Sequence, residues 1–168
     1  MNDEERSQIE KNRKMLSLKA MYFNRFLLVR YATALFFFTN LYWLIFLLLS
    51  KSSFVYIPIL IMAILTISMA EQVKIYHTHT NHPPLTKYSF IAMIAVNFIL
   101  IVPTCFPYTF SRLYPFLEDQ RKSRILILIL LSAGILLSAF ILYRLKKIRN
   151  DEDQAYKRIK EYEEIIKP

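Results

Sequence analysis

The sequence predicts an all-α integral membrane protein, a four-helix bundle with an amphipathic cytoplasmic helix at each end, in one domain spanning residues 1–168. Four long apolar runs without Asp, Glu, His, Lys or Arg carry this prediction, at residues 31–49, 54–70, 88–106 and 125–143. A helix rising ~1.5 Å per residue needs about 20 residues to cross ~30 Å of hydrocarbon. A hydrophobic fraction of 55% with a single glycine excludes collagen-like and disordered classes.

The first thirty residues predict an amphipathic helix that leads into the first span. Apolar residues recur in them at helical spacing, at Ile9, Leu16, Ala20, Phe23 and Leu27. The segment is too long and too charged for a secretory signal, and no small-residue cleavage site follows the first apolar run. We therefore expect the first span to be retained.

The distribution of Lys and Arg predicts that both termini are cytoplasmic. In that orientation seventeen basic residues face inwards and five face outwards. The net charge of +9 fits flanks that face anionic lipid better than a nucleic-acid partner. A three-span arrangement, with residues 103–107 in a re-entrant loop, is the competing topology. The connection at residues 107–124 is expected to form a short interfacial element.

Two asparagines lie inside the apolar runs. Asn40 and Asn97 are each the tenth residue of their run, so both amides should lie near the midplane. If the two helices are neighbours, the amides can hydrogen-bond, at roughly 0.6 to 2 kcal/mol for each bond. The pair is interpreted as polar packing between helices, or as a contact with a substrate or another subunit.

The last span carries a packing motif that extends towards the C-terminus. Gly134 and Ser138 form a small-xxx-small pair, which lets another helix approach closely. From there an apolar seam of coiled-coil spacing continues through the tail, interrupted only by Glu152: Ile141, Leu145, Ile148, Ala155, Ile159, Tyr162 and Ile166. The seam predicts a cytoplasmic helical stalk that binds the N-terminal segment, a second copy or a different protein.

All three histidines lie in the second connection, at His77, His79 and His82. Three imidazoles can bind zinc, copper or nickel, with Glu71 as a more distant fourth ligand. The alternative is a solvated turn that ends at Pro83 and Pro84. The alternative is favoured, so no metal or other cofactor is predicted.

The run MYFNRFLLVRYATALFFFTNLYWLIFLL, followed by EQVKIYHTHTNHPPLTKYSFI, resembles uncharacterised small four-span membrane proteins of low-GC Gram-positive bacteria. Some of these carry labels as cellobiose-type subunits of the sugar phosphotransferase system. The segment RFLLV is also similar to the start of small four-span proteins proposed to flip polyprenyl-linked sugars, whose later arginine and tryptophan signature is missing here. The resemblance implies a four-span fold in the plasma membrane.

No catalytic or phosphate-binding motif occurs in the sequence, and a non-enzymatic role is expected. The first hypothesis is an accessory or scaffold subunit that binds another membrane protein, or a second copy, by helix packing through Gly134 and Ser138 and through the stalk from Leu145 to Ile166. The second is a small transporter or flippase-like component for a lipid-linked or neutral solute, which uses the Asn40 and Asn97 layer. An immunity-type protein that shields a membrane target from a peptide toxin is a further alternative.

Overall fold

The computed structural model describes residues 3–78 and 82–166, and these two ranges contain helices and no strand. The all-α prediction is therefore confirmed. The helices are α1 (Asp3–Asn24), α2 (Leu27–Leu49), α3 (Tyr56–Thr78), α4 (Pro84–Thr104), α5 (Pro107–Leu113), α6 (Arg121–Arg149) and α7 (Gln154–Ile166).

Four of these helices, α2, α3, α4 and α6, are long and apolar enough to cross a membrane. Each contains most of one predicted apolar run, and α2 begins at Leu27, four residues before the run at residues 31–49. The proposed re-entrant region instead forms the end of α4 and the start of the short helix α5, with Pro103 in the last turn of α4. Within the described residues, four candidate spans are thus favoured over three.

The four long helices form a ring in which α2 packs on α3, α3 on α4, α4 on α6, and α6 on α2. Their alternating directions put α1, α7 and the α3–α4 connection at one end, called here the terminal end. The turn between α2 and α3 lies at the opposite end together with α5. Buried apolar side chains from all four helices meet in the centre, where the rings of Phe36 and Phe90 pack edge to face at 6.1 Å between centroids.

The structure divides the seam between two helices, because α6 ends at Arg149 and α7 begins at Gln154. Asp151 adopts a left-handed backbone conformation with φ of 56°, which ends α6. The N–H groups of Asp151 and Glu152 donate to the carbonyls of Ile148 and Lys147 at 3.2 and 3.0 Å, as in a Schellman motif. The chain therefore turns before α7 begins.

A buried ion pair connects this turn to the junction between α1 and α2. The Arg25 side chain is fully buried, and its Nη2 lies 2.9 Å from Asp151 Oδ1. Its Nε donates to Asp153 Oδ2 at 3.2 Å, and Nη2 also contacts Asp153 Oδ1. Burial by itself lowers the pKa of Arg25, but the bonds to Asp153 and Asp151 outweigh burial and raise the pKa above its ordinary value.

The turn folds α7 back so that it packs on α1. Ile159 of α7 is buried, and Tyr22 of α1 donates a hydrogen bond to Glu163 Oε1 at 3.1 Å. Burial and the bond to Glu163 raise the pKa of Tyr22 to about 12. The helix α1, which belongs to the N-terminal segment, therefore lies in contact with α7.

Arg25→Met should lower the free energy of unfolding by about 3–5 kcal/mol, because it leaves the Asp153 carboxylate buried without its partner. The double variant Arg25→Met, Asp153→Leu should recover much of that loss, because it also removes the buried carboxylate that the single variant leaves unpaired. Both quantities can be measured by SDS titration in mixed micelles.

The control is Lys14→Met, which removes the solvent-exposed ion pair between Lys14 and Glu10 on α1. It should leave the unfolding curve unchanged. An Arg25→Met protein as stable as the wild type would show that the buried pair does not hold the two junctions together.

Candidate functional site

A groove runs along the bundle between α2 and α6, with a volume of about 430 Å³. Of the four neighbouring pairs in the ring, α2 and α6 are in contact over the shortest stretch, and the groove lies between these two helices. The two walls come from α2 and α6, and Met93, Asn97 and Leu100 of α4 form the floor. Both asparagines predicted to lie near the midplane line this groove, as does Gly134.

The aromatic residues beyond α5 close the groove towards the opposite end. Trp43 stacks on Tyr114 with 5.7 Å between ring centroids, and its Nε1 donates to the Leu113 carbonyl at 3.1 Å. Phe46 stacks on Phe116 at 4.8 Å in the same way. The short helix α5 thus folds the chain back so that Tyr114 and Phe116 cover that end. The sequence predicted an interfacial element here but gave no indication of this covering role.

Asn97 packs directly against Gly134. A Cβ atom added at Gly134 would lie 2.9 Å from Asn97 Nδ2, so any larger residue would displace the amide. The Asn97 side chain is buried, and its Nδ2 has no hydrogen-bond partner among the residues that the structure describes. The only glycine of the sequence therefore brings α6 close to an amide of the same chain, which leaves an unused N–H donor beside the groove.

Asn40 lies at the other wall and does not reach Asn97. Its Nδ2 donates to the Phe36 carbonyl of its own helix at 2.8 Å. The predicted hydrogen bond between the two amides requires neighbouring helices, but α2 and α4 are diagonal in the ring. The two asparagines share the groove without binding each other.

The polar contacts that join helices lie closer to the terminal end, and sequence reasoning missed them. Gln72 of α3 donates to Thr33 of α2 at 3.0 Å and to Ser68 at 3.1 Å, and Ser68 donates to Thr86 of α4 at 3.1 Å. All four side chains are buried. The available signal was the presence of Gln72 and of small hydroxyl residues in apolar helices, where such groups bond across helices.

The other residues of the predicted packing surface lie mostly within the chain. Ser138 is fully buried, and Leu145 and Ile148 belong to the core between α6 and the other spans. Ile159 is buried, while Ala155 and Tyr162 are half-buried on α7. The side chain of Ile166 lies outside the described residues. In this fold the described part of the seam is largely occupied by the chain itself.

Two of the candidate metal ligands, His79 and the side chain of His77, lie outside the described residues. His82 is described and exposed. The Glu71 carboxylate accepts hydrogen bonds from the backbone N–H groups of Leu85 and Thr86 at 3.0 and 2.6 Å. Glu71 therefore caps the start of α4.

No family model, curated protein or solved structure matches the chain. The geometry of the groove is thus the basis for a functional argument.

Gly134→Leu should destabilise the bundle by about 1–3 kcal/mol, since the added side chain overpacks the contact with Asn97. Asn97→Ala in the same chain should recover at least half of that loss, because it removes the atoms that the leucine meets. The four proteins of this double-mutant cycle can be compared by SDS titration in mixed micelles. Strictly additive effects would show that the two residues are not energetically coupled.

Proposed function

We propose that this protein is a small membrane transporter or flippase-like component that binds a lipid-linked or neutral solute in the groove between α2 and α6. The observation that carries the proposal is the groove itself, with a volume of about 430 Å³ and with Asn40 and Asn97 among apolar and aromatic walls. Pockets for small molecules commonly have volumes of 300–1,000 Å³ and a few polar groups on mostly apolar walls.

The lining determines which solutes are compatible with the groove. None of its lining residues is an Asp, Glu, Lys, Arg or His among the residues that the structure describes. A charged group would therefore enter the groove without a counter-charge, at a high cost in a low-dielectric environment. A neutral solute, or the apolar chain of a lipid-linked solute, meets no such penalty.

The unused donor of Asn97 gives the groove a polar anchor. A buried N–H group without an acceptor costs about 1–3 kcal/mol, and a ligand oxygen placed beside it would remove that cost. Hydroxyl, ether or carbonyl oxygens of a neutral headgroup are suitable acceptors. The solute class is therefore one that combines such an oxygen with an apolar body.

The accessory-subunit hypothesis loses support from the residues on which it was based. Gly134 contacts Asn97, and Ser138, Leu145, Ile148 and Ile159 are buried within the chain. A partner would have to bind other surfaces. The N-terminal and C-terminal helices pack on each other at the terminal end, and α1 also contacts α3.

The proposed location is the plasma membrane, with both termini cytoplasmic. The four helices that are long and apolar enough to cross a bilayer support a multi-pass protein. The proposed orientation rests on the seventeen basic residues that it places on the inner side.

Vesicles that contain the purified protein and a fluorescent lipid with an uncharged sugar headgroup provide the test. Dithionite bleaches only the probe in the outer leaflet, so the bleached fraction reports movement across the bilayer. We expect the wild type to move the probe and the variant Asn40→Leu, Asn97→Leu to move it at least tenfold more slowly. The physical reason is the loss of both amides that line the groove.

The matched control is Thr66→Leu, because Thr66 is an exposed residue of α3 that bonds only to the carbonyl of Met62 in the same helix, at 2.8 Å. This control should keep the wild-type rate. Equal rates in wild type and in the asparagine variant, or no movement in either, would contradict the proposal.

A second measurement reports whether an acyl chain occupies the groove. Trp43 is the only tryptophan of the sequence and lines the groove, so quenching of its fluorescence by brominated acyl chains reports this occupancy separately.

A further inference from the structure

A second cavity lies at the terminal end, between the start of α4 and the end of α6. Its volume is about 560 Å³, and it shares no lining residue with the groove. Lys87 of α4 and Lys146 and Arg149 of α6 bring three positive charges to its lining. This cavity is called the basic pocket.

The three charges of the basic pocket have no counter-ion in the part of the chain that the structure describes. No carboxylate lines the pocket within ranges 3–78 and 82–166, and none of the three residues forms an ion pair there. Glu71, the carboxylate that meets the start of α4, is bonded to backbone N–H groups of Leu85 and Thr86 instead. The basic pocket therefore has the charge of an anion-binding site.

The wall of the basic pocket that lies deeper in the helix bundle is apolar. Ile91 follows Lys87 by four residues, and Leu142 precedes Lys146 by four, so both lie one helical turn (~5.4 Å) deeper in the bundle. Tyr88, which is largely exposed, stands beside Lys87. The pocket thus places cations at the helix ends and aliphatic side chains one turn deeper. This arrangement suits an amphiphile, whose charged headgroup lies at the membrane surface and whose acyl chain lies in the hydrocarbon.

We propose that the basic pocket binds the phosphate-bearing headgroup of an anionic lipid, with Lys87, Lys146 and Arg149 on the phosphates and the acyl chain against Ile91 and Leu142. Basic pockets between membrane helices are suited to such headgroups, and a lipid with two phosphates best matches three cations. The apolar wall favours a lipid over a free phosphate compound. The site is independent of the groove and of the solute proposed for it.

Native mass spectrometry of the delipidated full chain in a neutral detergent tests this proposal. Diphosphatidylglycerol, phosphatidylcholine and inorganic pyrophosphate are added separately. We expect diphosphatidylglycerol to bind, and the variant Lys87→Gln, Lys146→Gln, Arg149→Gln to bind it on the order of 100-fold more weakly, since each basic side chain near a membrane surface contributes about fivefold. Phosphatidylcholine should bind weakly and equally to both proteins.

The matched control removes the same charge at the same end of the molecule: Lys157→Gln, Arg158→Gln, Lys160→Gln, all exposed on α7. It should bind diphosphatidylglycerol as the wild type does. The charge-conserving variant Lys87→Arg, Lys146→Arg, Arg149→Lys should also bind it, and this shows that loss of binding is not loss of fold. Equal weakening in the α7 control, unchanged binding in the glutamine variant, or binding of pyrophosphate without the lipid would each overturn the proposal.

Discussion

The buried guanidinium of Arg25 determines how the two ends of the chain meet. It bonds to Asp153 and Asp151, and Nη2 also donates to the Ile148 carbonyl at the end of α6 at 3.2 Å. Its plane lies over the ring of Tyr156, at 4.8 Å from the centroid. These contacts join the α1–α2 junction to the α6–α7 turn, so that α7 can return along α1. Because a charge buried without a partner is costly, the two junctions are coupled.

The four helices that are long and apolar enough to cross a membrane could be predicted from the sequence, whereas this coupling could not. Each long apolar run is a local feature, and every residue in it raises the mean hydropathy of the same segment. The partner of Arg25 is more than a hundred residues away, and no local pattern marks it. The break between α6 and α7 had a local signal in Asn150 and Asp151, residue types that tolerate the left-handed conformation at a helix end. The coiled-coil spacing of the seam continues on the far side of the break through Ala155, Ile159 and Tyr162, so the spacing itself does not indicate where the helix ends.

The positions of the two asparagines along their helices could be read from the sequence, but the contacts that they make could not. Asn40 and Asn97 occupy one groove because both lie near the middle of their helices. Their mutual hydrogen bond depended on which helices are neighbours, and the sequence does not determine the order of helices around a ring. Gly134 was recognised as a packing residue, but its partner proved to be Asn97 of the same chain. Tyr114 and Phe116 cover the end of the groove because α5 turns the chain back towards it, and no signal in the sequence indicates the direction of that turn.

The position of the groove follows from an asymmetry in how the helices are joined. Thr33, Ser68, Gln72 and Thr86 link α2, α3 and α4 through hydrogen bonds that satisfy the buried polar groups on that side of the ring. The contact between α4 and α6 is extensive, and Gly134 allows it to be close. The facing side chains of α2 and α6 in the groove are mainly aliphatic and aromatic. In a bilayer, lipid chains solvate such surfaces as well as a facing helix does, so the two helices gain little free energy by packing on each other. The interface between α2 and α6 is therefore the one at which an apolar chain would replace a helix contact at little cost, and the proposed solute would meet the Asn97 amide there.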